Sequence, residues 1–447
     1  MTHHRRTLVH AAACGLLLAA RLASAAVGAD EAAKLKTTLT PLGAERAANK
    51  DGSIPAWDGG LTAVPGGARA GDVPVSLFAN EKPVLQITAK NAAQYAEKLS
   101  DGTQALLAKF PQSFRIDVYP SHRTAAAPAW VYEATQRNAT QCSFKDNAFD
   151  GCYGGPPFPI PGKGIEVMWN ALMRVQGESY QMGFRNLVGT SDGPPTLNSR
   201  GENNLQFPYY YKDGSAEKWS KLIFMQRFAT REPPVRAGES LVTHEQTQAR
   251  EAWQYLVGQR RVRRAPSVGF DTPDFMSSGA HYFDEVFGFN GSPDRYEWKL
   301  LGKKELYIPY NNNRFVTAAP NEAFGRQHAN PDLMRWELHR VWVLEATVAP
   351  GKRHAVPKRQ VYIDEDSWTL ALMDGYDSQN KLWRTTQVPT FAMPAIPAVL
   401  AIPSITYNLQ AGTFSAPVSL NGETLRLVAR KPDTFFTGDA AAADAAR

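Results

Sequence analysis

The chain has 447 residues, 43% of them hydrophobic and 21% charged, with a formal net charge of +6. That composition describes an ordinary folded protein, long enough for a large core in one domain or two, and it excludes a disordered chain. Three of the positive charges, Arg5, Arg6 and Arg21, precede the first acid, Asp30; without them the net charge falls from +6 to +3, too little to point to nucleic acid.

Residues 1–25 read as a secretory leader. Arg5-Arg6 gives a positive start, Leu8 to Ala20 is apolar, and Ala23-Ser24-Ala25 is a small-x-small cleavage pattern. The run is too short to span a bilayer and is followed at once by Arg21. The paired arginines leave both the general and the twin-arginine export routes open. Cys14 lies inside the apolar run, where a lipid-modified cysteine would follow it. The expected location is the periplasm of a Gram-negative cell. No other segment is long and apolar enough to cross a bilayer, so an integral membrane protein is not expected.

Residues 26–176 read as a mixed, mainly helical part. Asp30–Ala48 is a predicted helix, followed by a Pro/Gly-rich connector from Gly52 to Pro74. Thr88 is placed to cap a helix over Ala89–Leu99, and Ser100-Asp101-Gly102 to stop it. Gln104–Phe110 and Ala126–Asn138 are further predicted helices, the second with Pro128 in its first turn. Cys142 and Cys152 are the only cysteines beyond the leader, and nine residues separate them; in an oxidising compartment such a pair joins as a disulfide. No histidine or further cysteine lies near enough to make it a metal site. Gly154 to Pro161 is a rigid extended run, and Gly164–Arg174 is a predicted helix with Ile165, Met168, Trp169 and Leu172 on one face.

From Gly177 the hydrophobic period changes to two. Strands are predicted over Ser179–Gly189, Leu205–Tyr211, Leu222–Thr230, Glu239–Glu245, Ala252–Arg264, Tyr296–Ile308, Arg335–Val348, Lys358–Asp364, Thr369–Tyr376 and Leu382–Val388, with Ser404–Leu409 a weaker case. Turn chemistry separates them at Ser191-Asp192-Gly193, Lys212-Asp213-Gly214, Pro350-Gly351 and Asp364-Glu365-Asp366, the last read as a solvated hairpin turn. Residues 177–417 therefore read as an antiparallel β half-barrel and residues 418–447 as a C-terminal tail. The expected fold is mainly β with helices (α+β), a large, strongly curved antiparallel sheet or half-open β-barrel with helices covering its concave side.

The Arg335–Val348 strand shows what that sheet encloses. Trp336, Leu338, Arg340, Trp342 and Leu344 share one face, while Glu337, His339, Val341 and Val343 share the other. Two readings follow: a filled core, or the lining of a cavity for an apolar ligand. On the second reading the candidate ligand-binding residues are Trp336, Leu338, Arg340, Trp342 and Leu344, with Trp253 and Tyr255. Arg340, set between Leu338 and Trp342, needs a partner: a structural carboxylate or an acidic group on a ligand.

The segment WQYLVGQRRVRR from Trp253 to Arg264 resembles the W-x-Y…R-x-x-R strand of the outer-membrane lipoprotein-sorting superfamily. So do the hairpin VYIDEDSW from Val361, its return LMDGYD, and the following QNKL turn. The segments DVYPSHRTAAAP, YGGPPFPIP, YYYKDGS, AWQYLVGQRRVRRAP and WELHRVWVLEAT are similar to a periplasmic domain-of-unknown-function family of that superfamily, over most of the mature chain. The resemblance implies a half-open barrel with an apolar concave face that holds acyl chains. It also implies a partner among inner-membrane exporters or outer-membrane β-barrel proteins. The length of this chain, with its long N-terminal part and tail, sets it apart from the small carriers.

Catalytic motifs are absent from the sequence. There is no G-x-S-x-G elbow and no H-E-x-x-H; His244-Glu245 lacks the second histidine, and His281, His328, His339 and His354 are scattered. Arg260, Arg261, Arg263 and Arg264 form a basic patch, read either as a strand end paired with acids such as Glu297 or Glu305, or as a docking patch for anionic headgroups. The expected function is a periplasmic carrier or binding protein for a hydrophobic or amphipathic, lipid-like molecule, without cofactor or metal and not an enzyme. The alternatives are a structural adaptor of an envelope assembly and a hydrolase with an unrecognised site. Intact-mass measurement on protein released from the periplasm is expected to place the N-terminus within a few residues of Ala26. A retained leader, or a lipid adduct on Cys14, would refute this reading.

Overall fold

Alternating residues from Ser179 onward become long antiparallel strands in the computed structural model, which describes residues 26–63, 73, 77–145, 147–190, 193–265 and 270–445. The leader read at residues 1–25 lies outside the described residues, as do most of the connector beyond Ala63 and the Ser191-Asp192 part of one expected turn. The first strands in chain order are β1 (Leu85–Ile87), β2 (Ile116–Val118), β3 (Ser143–Lys145) and β4 (Ala148–Asp150). Next come β5 (Ser179–Gly189), β6 (Thr196–Gln206), β7 (Leu222–Glu232), β8 (Ser240–Gln246), β9 (Arg250–Leu256) and β10 (Arg261–Arg264). Then follow β11 (Tyr296–Pro309), β12 (Trp336–Val348), β13 (Lys358–Asp364), β14 (Leu370–Tyr376) and β15 (Leu382–Gln387). The last are β16 (Phe391–Met393), β17 (Ala398–Leu400), β18 (Ile405–Asn408), β19 (Thr413–Ser419) and β20 (Leu425–Leu427). The helices are α1 (Ala29–Ala32), α2 (Asp101–Lys109), α3 (Ala129–Gln141), α4 (Gly164–Leu172), α5 (Asn313–Thr317), α6 (Pro320–Ala323) and α7 (Gly438–Ala445), with several short 3-10 turns.

Two meanders build one large open sheet. Strands β5 to β10 pair in sequence, as do β11 to β15, and β18 and β19 join the second meander to the first through β19 and β5. The order is β1-β2-β12-β13-β14-β15-β18-β19-β5-β6-β7-β8-β9-β10, with β11 on the other side of β12 and β20 beside β5. One parallel contact, Trp336 with Val118, makes the sheet mixed. It does not close into a barrel.

Local chemistry accounts for several departures from the expected elements. Asp30–Ala48 is helical only to Lys36; Pro41 and Gly43, the latter at φ +105°, turn the chain instead, and Leu39 pairs with Glu45. Ser100 caps α2, its hydroxyl accepting from the Thr103 N–H. The predicted strand Ala252–Arg264 is a hairpin, because Val257–Gln259 makes a 3-10 turn and Arg260 takes a left-handed φ of +47°. The predicted strand Leu205–Tyr211 ends at Gln206, where Pro208 starts a 3-10 turn. Strand β6 was not expected because its sequence, TLNSRGENNLQ, has no apolar alternation. The disulfide Cys142–Cys152 is formed, and both cysteines are buried.

The main core runs from Leu42 and Ile54 through Leu106, Trp169, Phe184 and Tyr209 to Trp336 and Phe414, so the residues before β5 and the sheet share it. A second core lies under α4, where Val167, Met168 and Ala171 meet Leu344, Ala346, Val361, Ile363 and Trp368. Helix α4 is buried nearly all round, and its Glu166 carboxylate accepts from the N–H groups of Gly162 and Lys163. The C-terminal stretch adds β20 to the sheet, and α7 packs on β8 and β9.

Helix α2 seats its first turn on β14 and β15. The Gly102 N–H donates to Asp374 Oδ2 at 3.0 Å, and a Cβ at Gly102 would collide with Thr385 and Asp374. Burial raises the Asp374 carboxyl from 3.8 to about 6, against the hydrogen bonds that lower it. The folded protein then holds this proton more tightly than the unfolded chain, so the contribution of Asp374 to stability falls as pH rises between those two values. Urea midpoints measured against pH should show that decline, and Asp374→Asn should flatten it; an unchanged slope in the variant would contradict the assignment.

Candidate functional site

The predicted ligand-binding residues of β12 are packed inside the protein. Trp336, Leu338 and Leu344 are buried, the first two in the main core and Leu344 under α4. Trp342 is half-buried, its ring parallel to that of Trp368 at 6.1 Å and covered by Lys303 Nζ at 4.6 Å. Trp253 packs beside Phe436 beneath the C-terminal helix, and Tyr255 is buried. None of these seven residues lines the clefts described below. Near the sheet interior, the space among Trp169, Tyr180, Phe207, Phe224 and Phe289 is only about 30 Å³, about the share of one water in the liquid.

A cleft of mixed surface, only a little more apolar than polar, opens elsewhere. Its volume is about 360 Å³, and its walls are Pro128, Trp130 and Val131 at the start of α3, Val175 and Gly177 to Ser179 leading into β5, Tyr210, Ala395 to Pro397, and Leu427 and Val428. Pro128, Trp130, Ala395, Ile396, Pro397, Leu427 and Val428 are all half-buried, so apolar side chains face the opening. Trp130 meets Tyr210 edge to face at 6.4 Å, and the Tyr210 hydroxyl donates to the Met173 carbonyl. Gly177 adopts φ +82° beside Ile396, whose Cδ1 would lie 3.1 Å from a Cβ there. Glu178 stands at the rim, its carboxylate 3.8 Å from Arg430. A second cleft of about 360 Å³ is lined by Phe78, Glu81, Arg314, Asp332 and Arg335 and is strongly charged. No single stretch of sequence marks the first cleft, because five separate segments build it.

Arg340 has its structural carboxylate. Its Nε donates to Glu365 Oε1 at 2.6 Å and its Nη2 to the carbonyls of Glu45 and Ala47. Lys303 Nζ holds the other Glu365 oxygen at 2.7 Å. The Asp364-Glu365-Asp366 turn, read from sequence as solvated, is thus buried: all three acids are at most 4% exposed. The Arg123 guanidinium grips both Asp366 oxygens, at 2.6 and 2.9 Å, and also donates to the carbonyls of Glu45, Arg46 and Pro55. His339 reaches the same turn from β12. Its Nε2 lies 3.1 Å from Glu337 Oε2 and its Nδ1 3.7 Å from Asp364 Oδ1. Burial and the Asp366 charge raise the Asp364 carboxyl to about 6. Burial pulls the His339 imidazole down, but its hydrogen bond to Glu337 and the charges of Asp364, Glu337 and Asp366 carry it above its ordinary value.

The other histidines do not join it. His281 contacts Asp274, His354 contacts Asp284, and His328 bonds Ser113 and Ala329. In the basic patch, Arg260, Arg261, Arg263 and Arg264 are exposed on the β9–β10 hairpin. Arg264 pairs with Glu251, not with Glu297 or Glu305; Glu305 instead accepts from Asn49, and Glu297 faces Thr347.

The family model described as "Protein of unknown function (DUF1329)" matches residues 86–442. The chain belongs to the DUF1329 family. The uncharacterised protein PA3922 of Pseudomonas aeruginosa is 41% identical to it over 434 residues, covering 92% of each chain. Among solved structures, a proposed outer membrane lipoprotein-sorting protein domain from Vibrio parahaemolyticus is similar at 15% identity and a TM-score of 0.43, over 62% of this chain and 98% of that one. A DUF1329 protein from Desulfovibrio piger gives 15% identity and a TM-score of 0.41, over 59% and 92%. Among the described residues of this DUF1329 chain, no helix is long and apolar enough to cross a membrane.

Removing one partner of a buried ion pair leaves the other charge uncompensated. Arg340→Met is therefore expected to cost about 3 kcal/mol. Adding Glu365→Gln should cost less than the sum of the two single changes, because the pair is coupled. Strict additivity in urea unfolding would show that Arg340 acts through packing alone.

Proposed function

We propose that this DUF1329 protein works in the periplasm as a binding protein or carrier for a hydrophobic or amphipathic, lipid-like small molecule, without catalysing a reaction. The observation that carries this reading is the open cleft at Trp130, Tyr210, Ile396 and Leu427, whose surface mixes apolar and polar groups in nearly equal measure. Its volume of about 360 Å³ falls within the range of small-molecule sites. Half-buried apolar side chains on several elements expose surface that a ligand would remove from water. Glu178, Ser179 and Arg430 supply polar groups near the rim for the other end of an amphipathic ligand. The periplasmic setting rests on the leader pattern at residues 1–25 and accords with the disulfide.

A structural adaptor is the second reading. It is favoured by the packing of Trp336, Leu338 and Leu344 in the core, which leaves that face of β12 filled by the protein's own side chains.

The two readings separate on one titration with an apolar fluorescent probe. The carrier reading expects saturable binding to the native protein, weakened tenfold or more by Ile396→Asp with little loss of stability, since Ile396 is half-buried. Trp336→Ala should cost about 3–5 kcal/mol as a core truncation and leave the affinity of the folded fraction unchanged. A native protein that binds no apolar probe would remove the carrier reading. Binding lost in a stable Trp336→Ala variant would return the site to β12.

A further inference from the structure

Pairing of β12 with β13 sets His339 against the Asp364 turn. Val341 lies opposite Asp364 in the register, so the Asp364 side chain projects on the face shared by Val341 and His339. The turn then brings Asp366 to the same place. One donor atom from each of His339, Asp364 and Asp366 lies within 4.8 Å of the other two, and all three residues are buried.

Neighbours fix His339 and Asp364 so that each leaves one donor free, while Asp366 Oδ2 also accepts from Arg123 Nε at 2.9 Å. Glu337 accepts from Arg335 Nε at 2.5 Å, Asn311 Nδ2 at 2.9 Å and the His122 N–H at 2.7 Å. That rigid carboxylate takes the Nε2–H of His339 at 3.1 Å. The Nδ1 lone pair is then turned toward Asp364 and Asp366, at 3.7 and 4.0 Å. Asp364 Oδ2 accepts from the Ser367 N–H and Oγ at 2.9 and 2.5 Å. Its other oxygen, Oδ1, is buried without a hydrogen-bond partner and faces His339.

Such an oxygen is costly to leave unpaired, and 3.7 Å is too long for a hydrogen bond. The two separations from His339 Nδ1, 3.7 and 4.0 Å, are within about 1 Å of the roughly 3.3 Å between donors in a tetrahedral site with bonds near 2 Å. A carboxylate behind the histidine is the usual orienting arrangement at metal sites. Charge agrees. Glu45, Glu81, Glu337, Asp364, Glu365 and Asp366 face Lys303, Arg123, Arg335 and Arg340, an excess of two negative charges, with His122 against Glu81 at the edge.

We propose that His339 Nδ1, Asp364 Oδ1 and Asp366 Oδ2 bind a divalent transition-metal ion, with zinc the best match to one nitrogen and two carboxylate oxygens. The ion clamps the β13–β14 turn to β12. It lies apart from the cleft at Trp130 and Ile396, and the proposal stands or falls independently of the carrier reading.

The test uses the mature chain, unfolded, freed of metal with chelator and refolded with and without zinc. One zinc per chain should survive desalting, by native mass spectrometry and elemental analysis. Cobalt in place of zinc should give the visible absorption of a low-symmetry protein site. His339→Gln and Asp364→Asn should abolish retention. Glu337→Gln, which removes the orienting carboxylate, should weaken it by about 10–100-fold. Asp374→Asn, a buried acid on another strand, should leave it intact. A native chain that refolds without retaining zinc or cobalt overturns the proposal, whatever the variants do. So does retention undiminished in folded His339→Gln, which would place the ion elsewhere and leave His339 as an imidazolium paired with Glu337 and Asp364.

Discussion

Burial of the charged turn after β13 is the constraint on which much of the structure depends. Three consecutive acids, Asp364, Glu365 and Asp366, are withdrawn from water, and withdrawing a charge costs several kcal/mol unless partners replace the solvent. The partners come from distant parts of the chain: Arg123 from the segment after β2, Lys303 from β11, Arg340 from β12. The two guanidiniums have further donors to satisfy and take them from the carbonyls of Glu45, Arg46, Ala47 and Pro55. That explains a segment with little regular structure. The turn at Pro41 and Gly43 leads the chain past the two guanidiniums, where these carbonyls accept from them.

The parts of the fold legible in the sequence are those where one face of a strand is apolar and the other is not. Ser179–Gly189 and Lys358–Asp364 could be read residue by residue for that reason. Strand β6 escaped because many of its buried side chains are polar: Asn203, Asn204 and Gln206 are buried, and Ser199 bonds Asn186 across the sheet. Alternation marks hydrophobicity, and there was none to mark. The acidic turn misled in the opposite sense. Its composition is that of a solvated hairpin, and part of what covers it, Arg123 among it, lies more than two hundred residues earlier. The need of Arg340 for a partner was visible in the sequence, but not which acid would meet it. The cleft proposed for the ligand was not legible at all, since its walls combine Trp130, Gly177, Tyr210, Ile396 and Leu427, none of which stands out locally.

Sheet order places the two halves of the chain in an unusual dependence. Strand β5 near residue 180 gains its second neighbour only from β19 and β20, when almost the whole chain is present. Pairings of such sequence separation are slow to form, because loop-closure entropy is lost before contacts repay it. The early meander therefore waits with one open side until the late one arrives. The contact of the C-terminal helix with β8 and β9 adds a second late attachment to that same meander.

Among the described residues, no strand pairs with β10 on its outer side, so one end of the sheet is open there. A free strand edge is a template for pairing with another molecule. The four-residue β10 carries Arg261, Arg263 and Arg264, all exposed, at that edge. Two copies approaching edge to edge would bring these guanidiniums together and would have to strip their hydration. An edge so charged is a poor template for a second sheet.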